Sequence, residues 1–145
     1  MKFFAPLVFV AAMASSALGQ SVEFGAPANG ASVSAGTNIT VEVDVPTPPT
    51  PFQDVSVAIG LTMCEQFTCG NPQELMQFLL FAGPFNPERD PQARTKPAHQ
   101  NFTVTLPSGQ SGPAQLGVVH FTLGREAAGF TSILNSNSIN LTLTA

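Results

Sequence analysis

The strongest constraint on this chain is a two-residue hydrophobic rhythm that recurs along most of its length. From Thr37 to Val45, the residues Ile39, Val41, Val43 and Val45 alternate with Asn38, Thr40, Glu42 and Asp44. Successive side chains of a strand point to opposite faces, so one face must be buried and the other wet, as in an antiparallel sheet. The rhythm returns at Asp54–Leu61, which places Val55, Val57, Ile59 and Leu61 inward and Ser56, Ala58 and Gly60 outward. It returns again in Phe102, Val104 and Leu106, and in Ile139, Leu141 and Leu143. Val22 and Phe24 open a short first strand, and Ala114–Leu123 is apolar on both faces, as expected of a central strand.

Turn chemistry punctuates these runs. Pro27-Ala28-Asn29-Gly30 and the Gly/Ser-rich stretch Pro107–Pro113 read as turns. Pro46–Pro51 holds four prolines in six residues, which cannot feed a sheet ladder and predict a stiff extended connection. Residues 62–77 predict a disulfide loop and then a short helical turn, because Asn71-Pro72-Gln73-Glu74 combines an N-cap, a first-turn proline and an N3 glutamate. A strand is expected to resume near Phe78. Phe85–Gln100 reads as a long polar loop, and Gly124–Ser138 as a second loop. The sum is an all-β fold: an immunoglobulin-like or fibronectin-like antiparallel β-sandwich of about seven strands with one short helical turn.

Residues 1–19 read as a signal peptide, with a positive Lys2, an apolar run from Phe3 to Ala14, and small residues at Ala17 and Gly19. The run is too short to span a bilayer. Cleavage is expected between Gly19 and Gln20; removing 19 of 145 residues leaves 126, residues 20–145, as a single domain. Ser138–Ala145 lacks the spacer and apolar tail of a lipid-anchor signal. The chain is therefore expected to be secreted and extracellular, with no membrane insertion. Two features fit that compartment. Cys64 and Cys69 are expected to form a disulfide, worth about 2 kcal/mol for so short a loop. Asn38, Asn101 and Asn140 each head a glycosylation sequon on the polar face of a strand.

Charge narrows the partners. Without Lys2, four basic residues face nine acidic ones, a net charge of about −5, so no nucleic acid is expected as a partner. That charge is segregated. Arg89, Arg94 and Lys96 lie together in the 85–100 loop with Glu88 and Asp90, leaving the rest of the mature chain with seven acids and Arg125. Binding residues concentrate on loops carried by a rigid scaffold. Arg89, Arg94, Lys96 and His99 are therefore the candidate partner-binding set.

The search for chemistry yields no catalytic residues. Gly109-Gln110-Ser111-Gly112 lacks the form of a nucleophile elbow. Glu42 and Asp44 share a strand face that reads as solvated surface, and His120 reads as a hydrogen-bonded or edge-facing strand histidine. His99 and His120 are the only histidines, so neither a metal site nor a cofactor is expected. The expectation is a binding protein, not an enzyme.

Several strand motifs, in order, resemble the necrosis-inducing secreted protein family of fungal effectors. They are Gly36-Thr37-Asn38-Ile39-Thr40-Val41, Asp54-Val55-Ser56-Val57-Ala58-Ile59-Gly60-Leu61, Leu79-Leu80-Phe81-Ala82-Gly83-Pro84, Asn101-Phe102-Thr103-Val104-Thr105-Leu106-Pro107, and Gly112-Pro113-Ala114-Gln115-Leu116 leading to Phe121-Thr122-Leu123. The resemblance implies a β-sandwich-type domain, a fungal source, virulence, and interference with plant immune signalling through host receptor-like kinases. The chain departs from the family pattern in its Cys64–Cys69 insert and its 85–100 loop. The opening, Pro27-Ala28-Asn29-Gly30 then Gly36–Val41, also resembles the N-terminal domain of yeast β-1,6-glucan synthesis proteins, which implies instead a cell-wall assembly role and a wall polysaccharide as partner.

Overall fold

A computed structural model describes residues 21–46 and 52–145; the expected signal peptide and most of the proline-rich connection lie outside these described residues. Eight strands follow in chain order: β1 (Glu23–Ala26), β2 (Ala31–Ser34), β3 (Asn38–Val45), β4 (Phe52–Met63), β5 (Phe78–Pro84), β6 (Ala98–Thr105), β7 (Gly112–Glu126) and β8 (Gly129–Thr144). They form a three-stranded sheet ordered β1-β3-β6 and a five-stranded sheet ordered β2-β8-β7-β4-β5. The two sheets pack as a β-sandwich, which is the fold class that the alternation demands. Every pairing is antiparallel except β2 with β8, which is parallel.

The core is the meeting of the two inner faces. Val41, Val43, Phe102 and Val104 from the smaller sheet meet Val57, Ile59, Leu61, Met63, Leu116, Val118, Leu141 and Leu143 from the larger. Each such side chain contributes about 1.5–3 kcal/mol by leaving water. β7 lies between β8 and β4. Its outer face is covered too, since Gly117 is buried beneath Pro72.

Three expectations need correction. Gly124–Ser138 is not a loop: β7 and β8 form one long hairpin turning at Ala127-Ala128. The inward positions Asn135 and Asn137 are polar, so the alternation there is silent. Asn137 is accommodated because its Nδ2 donates to the Val22 carbonyl at 2.8 Å. Val55 is not a regular inward residue. A bulge between Asp54 and Ser56 leaves it unpaired, and pairing resumes with Asp54 opposite Thr122. Finally, the 85–100 loop is shorter than expected, because β6 begins at Ala98 and takes in His99.

The helical turn is a single turn among described residues that contain no helix. Its capping is as expected: Asn71 Oδ1 accepts from the Gln73 N–H at 3.0 Å, and the Asn71 carbonyl accepts from Glu74 N–H at 2.9 Å. The whole 64–77 segment folds over the outer face of the larger sheet. Cys64 and Cys69 are disulfide-bonded at its start. Met76 and Pro72 seat on Gly60 and Gly117, where an added Cβ would stand 2.5 Å from Met76 Sδ and 2.7 Å from the Pro72 ring.

Candidate functional site

Strand β5 is one edge of the larger sheet and β6 one edge of the smaller, so the 85–97 connection closes a side of the sandwich. Its root is Phe85, which is fully buried. The ring lies edge-on to His120, with centroids 5.0 Å apart, and 6.1 Å from the Phe102 ring. The Phe85 N–H donates to the Val55 carbonyl at 3.2 Å. Next, the Asn86 N–H donates to Gln100 Oε1 at 2.7 Å, and Glu88 and His99 exchange two backbone hydrogen bonds of 3.0 Å. Asp90 Oδ1 then accepts from Gln92 N–H at 2.8 Å, an Asx turn, and Lys96 N–H donates to the Ala93 carbonyl at 2.9 Å. The loop is thus held at its root, along β6 and at its end.

That scaffold surrounds an open cavity of about 470 Å³, lined by Asn86, Glu88, Arg89, Asp90, Pro91, His99, Gln100 and Asn101. Arg89 also borders a smaller cavity of about 210 Å³ with Val45, Pro46, Phe52, Asp54, Pro87 and Ala98. Of the four candidate residues, the structure brings Arg89 and His99 together on the large cavity. His99 Nδ1 donates to the Pro97 carbonyl at 3.1 Å, since a carbonyl only accepts, which fixes the proton on that nitrogen. Arg94 is exposed and does not line the cavity. Lys96 is committed elsewhere: its Nζ donates to Glu42 Oε2 at 2.7 Å.

That ion pair corrects the reading of Glu42 and Asp44 as plain solvated surface. Both are half-buried on the outer face of the smaller sheet, beside Gly25, whose missing Cβ leaves room for their carboxylates. The hydrogen bond to Glu42 raises the Lys96 pKa above its ordinary value. Burial, and then the Glu42 charge, push the Asp44 carboxyl above its ordinary value of 3.8.

His120 was expected to be hydrogen-bonded or edge-facing, and it is neither. It sits at an inward position of the central strand β7 with 1% of its side chain exposed. Its Nε2 lies 2.8 Å from Asp54 Oδ1, but off the line that a hydrogen bond requires, and Nδ1 has no partner among the described residues. Asp54 reaches it because the β4 bulge turns that carboxylate inward. The Asp54 side chain borders the smaller cavity, whereas the imidazole behind it is sealed. Neither ring nitrogen is hydrogen-bonded to a hydroxyl or thiol among the described residues. Sequence reading missed the pair because one extra residue in β4 changes the side on which Asp54 lies.

Asn38, Asn101 and Asn140 are all exposed on their strands, as glycan attachment requires. Asn38 Oδ1 accepts from Thr105 Oγ1 at 2.7 Å. The described residues contain no group of three or more His, Cys, Asp or Glu placed to hold a metal ion, and no helix long and apolar enough to cross a membrane. No family model matches the chain, and no curated protein matches it in sequence.

Proposed function

We propose that this chain is a secreted, non-enzymatic binding protein that recognises a host protein through the 85–97 loop and the adjoining edge of β6. The observation that carries this reading is the polar cavity of about 470 Å³ held open by that loop. A mobile loop would lose its conformational entropy on binding; one already tied to Phe85, Gln100, His99 and Glu42 has lost much of it on folding. Its lining mixes Arg89 and His99 with Glu88, Asp90 and three side-chain amides, a set suited to a polar, charged protein surface.

The disulfide supports an oxidising destination. With the strand motifs that resemble fungal effectors, it supports secretion into plant tissue and contact with receptor-like kinases that suppresses immune signalling. The wall-assembly reading would instead need the cavity to take a polysaccharide. The lining holds no Phe, Tyr or Trp ring on which a sugar would stack.

The test is a parallel pull-down of the secreted chain against plant receptor-kinase domains and insoluble β-glucan or chitin, with an elicitor-induced oxidative burst as the cellular readout. Capture of a kinase domain, lost at least about tenfold on Arg89→Glu while the melting temperature holds, is the expected result. Retention on the polymer alone, or kinase binding indifferent to Arg89→Glu, overturns the assignment.

A further inference from the structure

Strand β8 is longer than its cover. β7 pairs with it from end to end, but β2 covers the other side only from Leu141 to Thr144. Among the described residues, no strand pairs with that side between Gly129 and Asn140. The direction of each backbone group follows from the two-residue turn, which sets Glu126 opposite Gly129. Odd-numbered residues of β8 exchange bonds with β7, and even-numbered ones point away from it. Asn140 shows the rule at the covered end. Its carbonyl accepts from Gly30 N–H at 2.7 Å and its N–H donates to Asn29 Oδ1 at 2.8 Å, both on the β2 side. By the same alternation, Phe130, Ser132, Leu134 and Ser136 offer their N–H and C=O groups to the open edge. The Leu134 carbonyl takes a 3.3 Å bond from the exposed Gln73 amide, which a strand would displace.

Native sheets blunt such edges with charge, proline or bulges. This one uses none of them. Gly129–Thr144 contains no charged residue and no proline, in a chain of net charge −4, and its register with β7 is unbroken. The edge also carries exposed apolar side chains: Phe130 at 63%, Leu134 at 53% and Ile133 at 36%.

We infer that this edge pairs antiparallel with the same edge of a second copy, about a two-fold axis at Ile133. An isologous contact needs a surface complementary to itself. Here two acidic molecules meet along a segment where no like charges come opposite one another. With the axis at Ile133, Ser132 faces Leu134 of the second copy and Phe130 faces Ser136. These are the edge-pointing residues, so each pair exchanges backbone hydrogen bonds and sets a large side chain beside a small one. Ile133 meets its own counterpart in a non-hydrogen-bonded pair.

Sedimentation equilibrium of the secreted chain tests this. A concentration-dependent dimer is expected. Ser132→Pro removes only an outward N–H, and should weaken the dimer about tenfold or more without unfolding the domain. Should that variant misfold, Leu134→Lys leaves the backbone intact and is expected to give the same shift. Ile133→Cys should form an intermolecular disulfide, because facing Cα atoms of such a pair lie about 4.5 Å apart. Ser108→Cys, in the turn before β7, should not. A monomeric mass at the highest soluble concentration, a dimer unmoved by the folded edge variants, or cross-linking no faster at position 133 than at 108 overturns the inference. So does an edge that takes up only an unrelated strand-forming peptide.

Discussion

Two connections flank the edge strand β5, and they are built in opposite ways. The 64–77 segment before it lies flat on the sheet, stapled by the Cys64–Cys69 disulfide and seated on two glycines through Met76 and Pro72. The 85–97 segment after it sinks one side chain, Phe85, into the core and spreads the rest into solvent around a cavity. The first spends its residues on covering the sheet. The second is anchored at its root by a single aromatic ring and sets Glu88, Arg89 and Asp90 around the cavity, while Lys96 pairs with Glu42. A loop can therefore be held in place without being buried, provided that the holding is concentrated at its root and along one strand.

Breaking that root should have the largest effect. Phe85→Ala removes a fully buried ring that touches His120 and Phe102, and is expected to cost about 3–5 kcal/mol in urea unfolding. It should also open the loop, read as faster hydrogen exchange at Asn86 and Glu88. The covering segment is attacked from beneath. Gly117→Leu drives a side chain into Pro72, and should cost about 1–3 kcal/mol through overpacking. Exchange should rise in residues 71–77 and stay unchanged around the cavity. If either variant loosens both connections equally, the two are not independently held.

The smallest effect is a pH profile. Burial and Glu42 raise the Asp44 pKa, so the folded chain keeps a proton that the unfolded chain releases near 3.8. Stability from this group therefore falls as pH rises from 3.8 through the raised value, and is flat above it. Asp44→Asn lacks that fall. Its melting temperature should gain on the parent between about pH 3 and pH 7, and a gain that is already complete at the acid end would remove Asp44 as the cause.

The sandwich was legible wherever one face of a strand is uniformly apolar. Ile39, Val41, Val43 and Val45 specified β3, and the doubly apolar run from Ala114 specified a central β7. β8 was half-legible, because Asn135 and Asn137 occupy inward positions that alternation assigns to apolar residues. Nothing local announces that a distant carbonyl, that of Val22, will satisfy Asn137. The loop was legible as a charged segment but not as a folded one. Arg89, Arg94 and Lys96 cluster in sequence, yet Lys96 serves Glu42 on β3, and a Phe85 that opens a polar stretch gives no sign of entering the core. The Asp54–His120 contact was out of reach, since it joins positions far apart in the chain across a bulge.

That bulge has an effect beyond Asp54. Removing Val55 would restore an uninterrupted ladder and still leave Asp54 opposite Thr122, so the spare residue is not needed to keep the strand in phase. What it supplies is a peg. Its carbonyl holds the Phe85 N–H, the point from which the chain departs for the other sheet. A shortened β4 would thus fold with its strands aligned and its crossover unmoored, which makes this single insertion a hinge pin between the scaffold and the surface it displays.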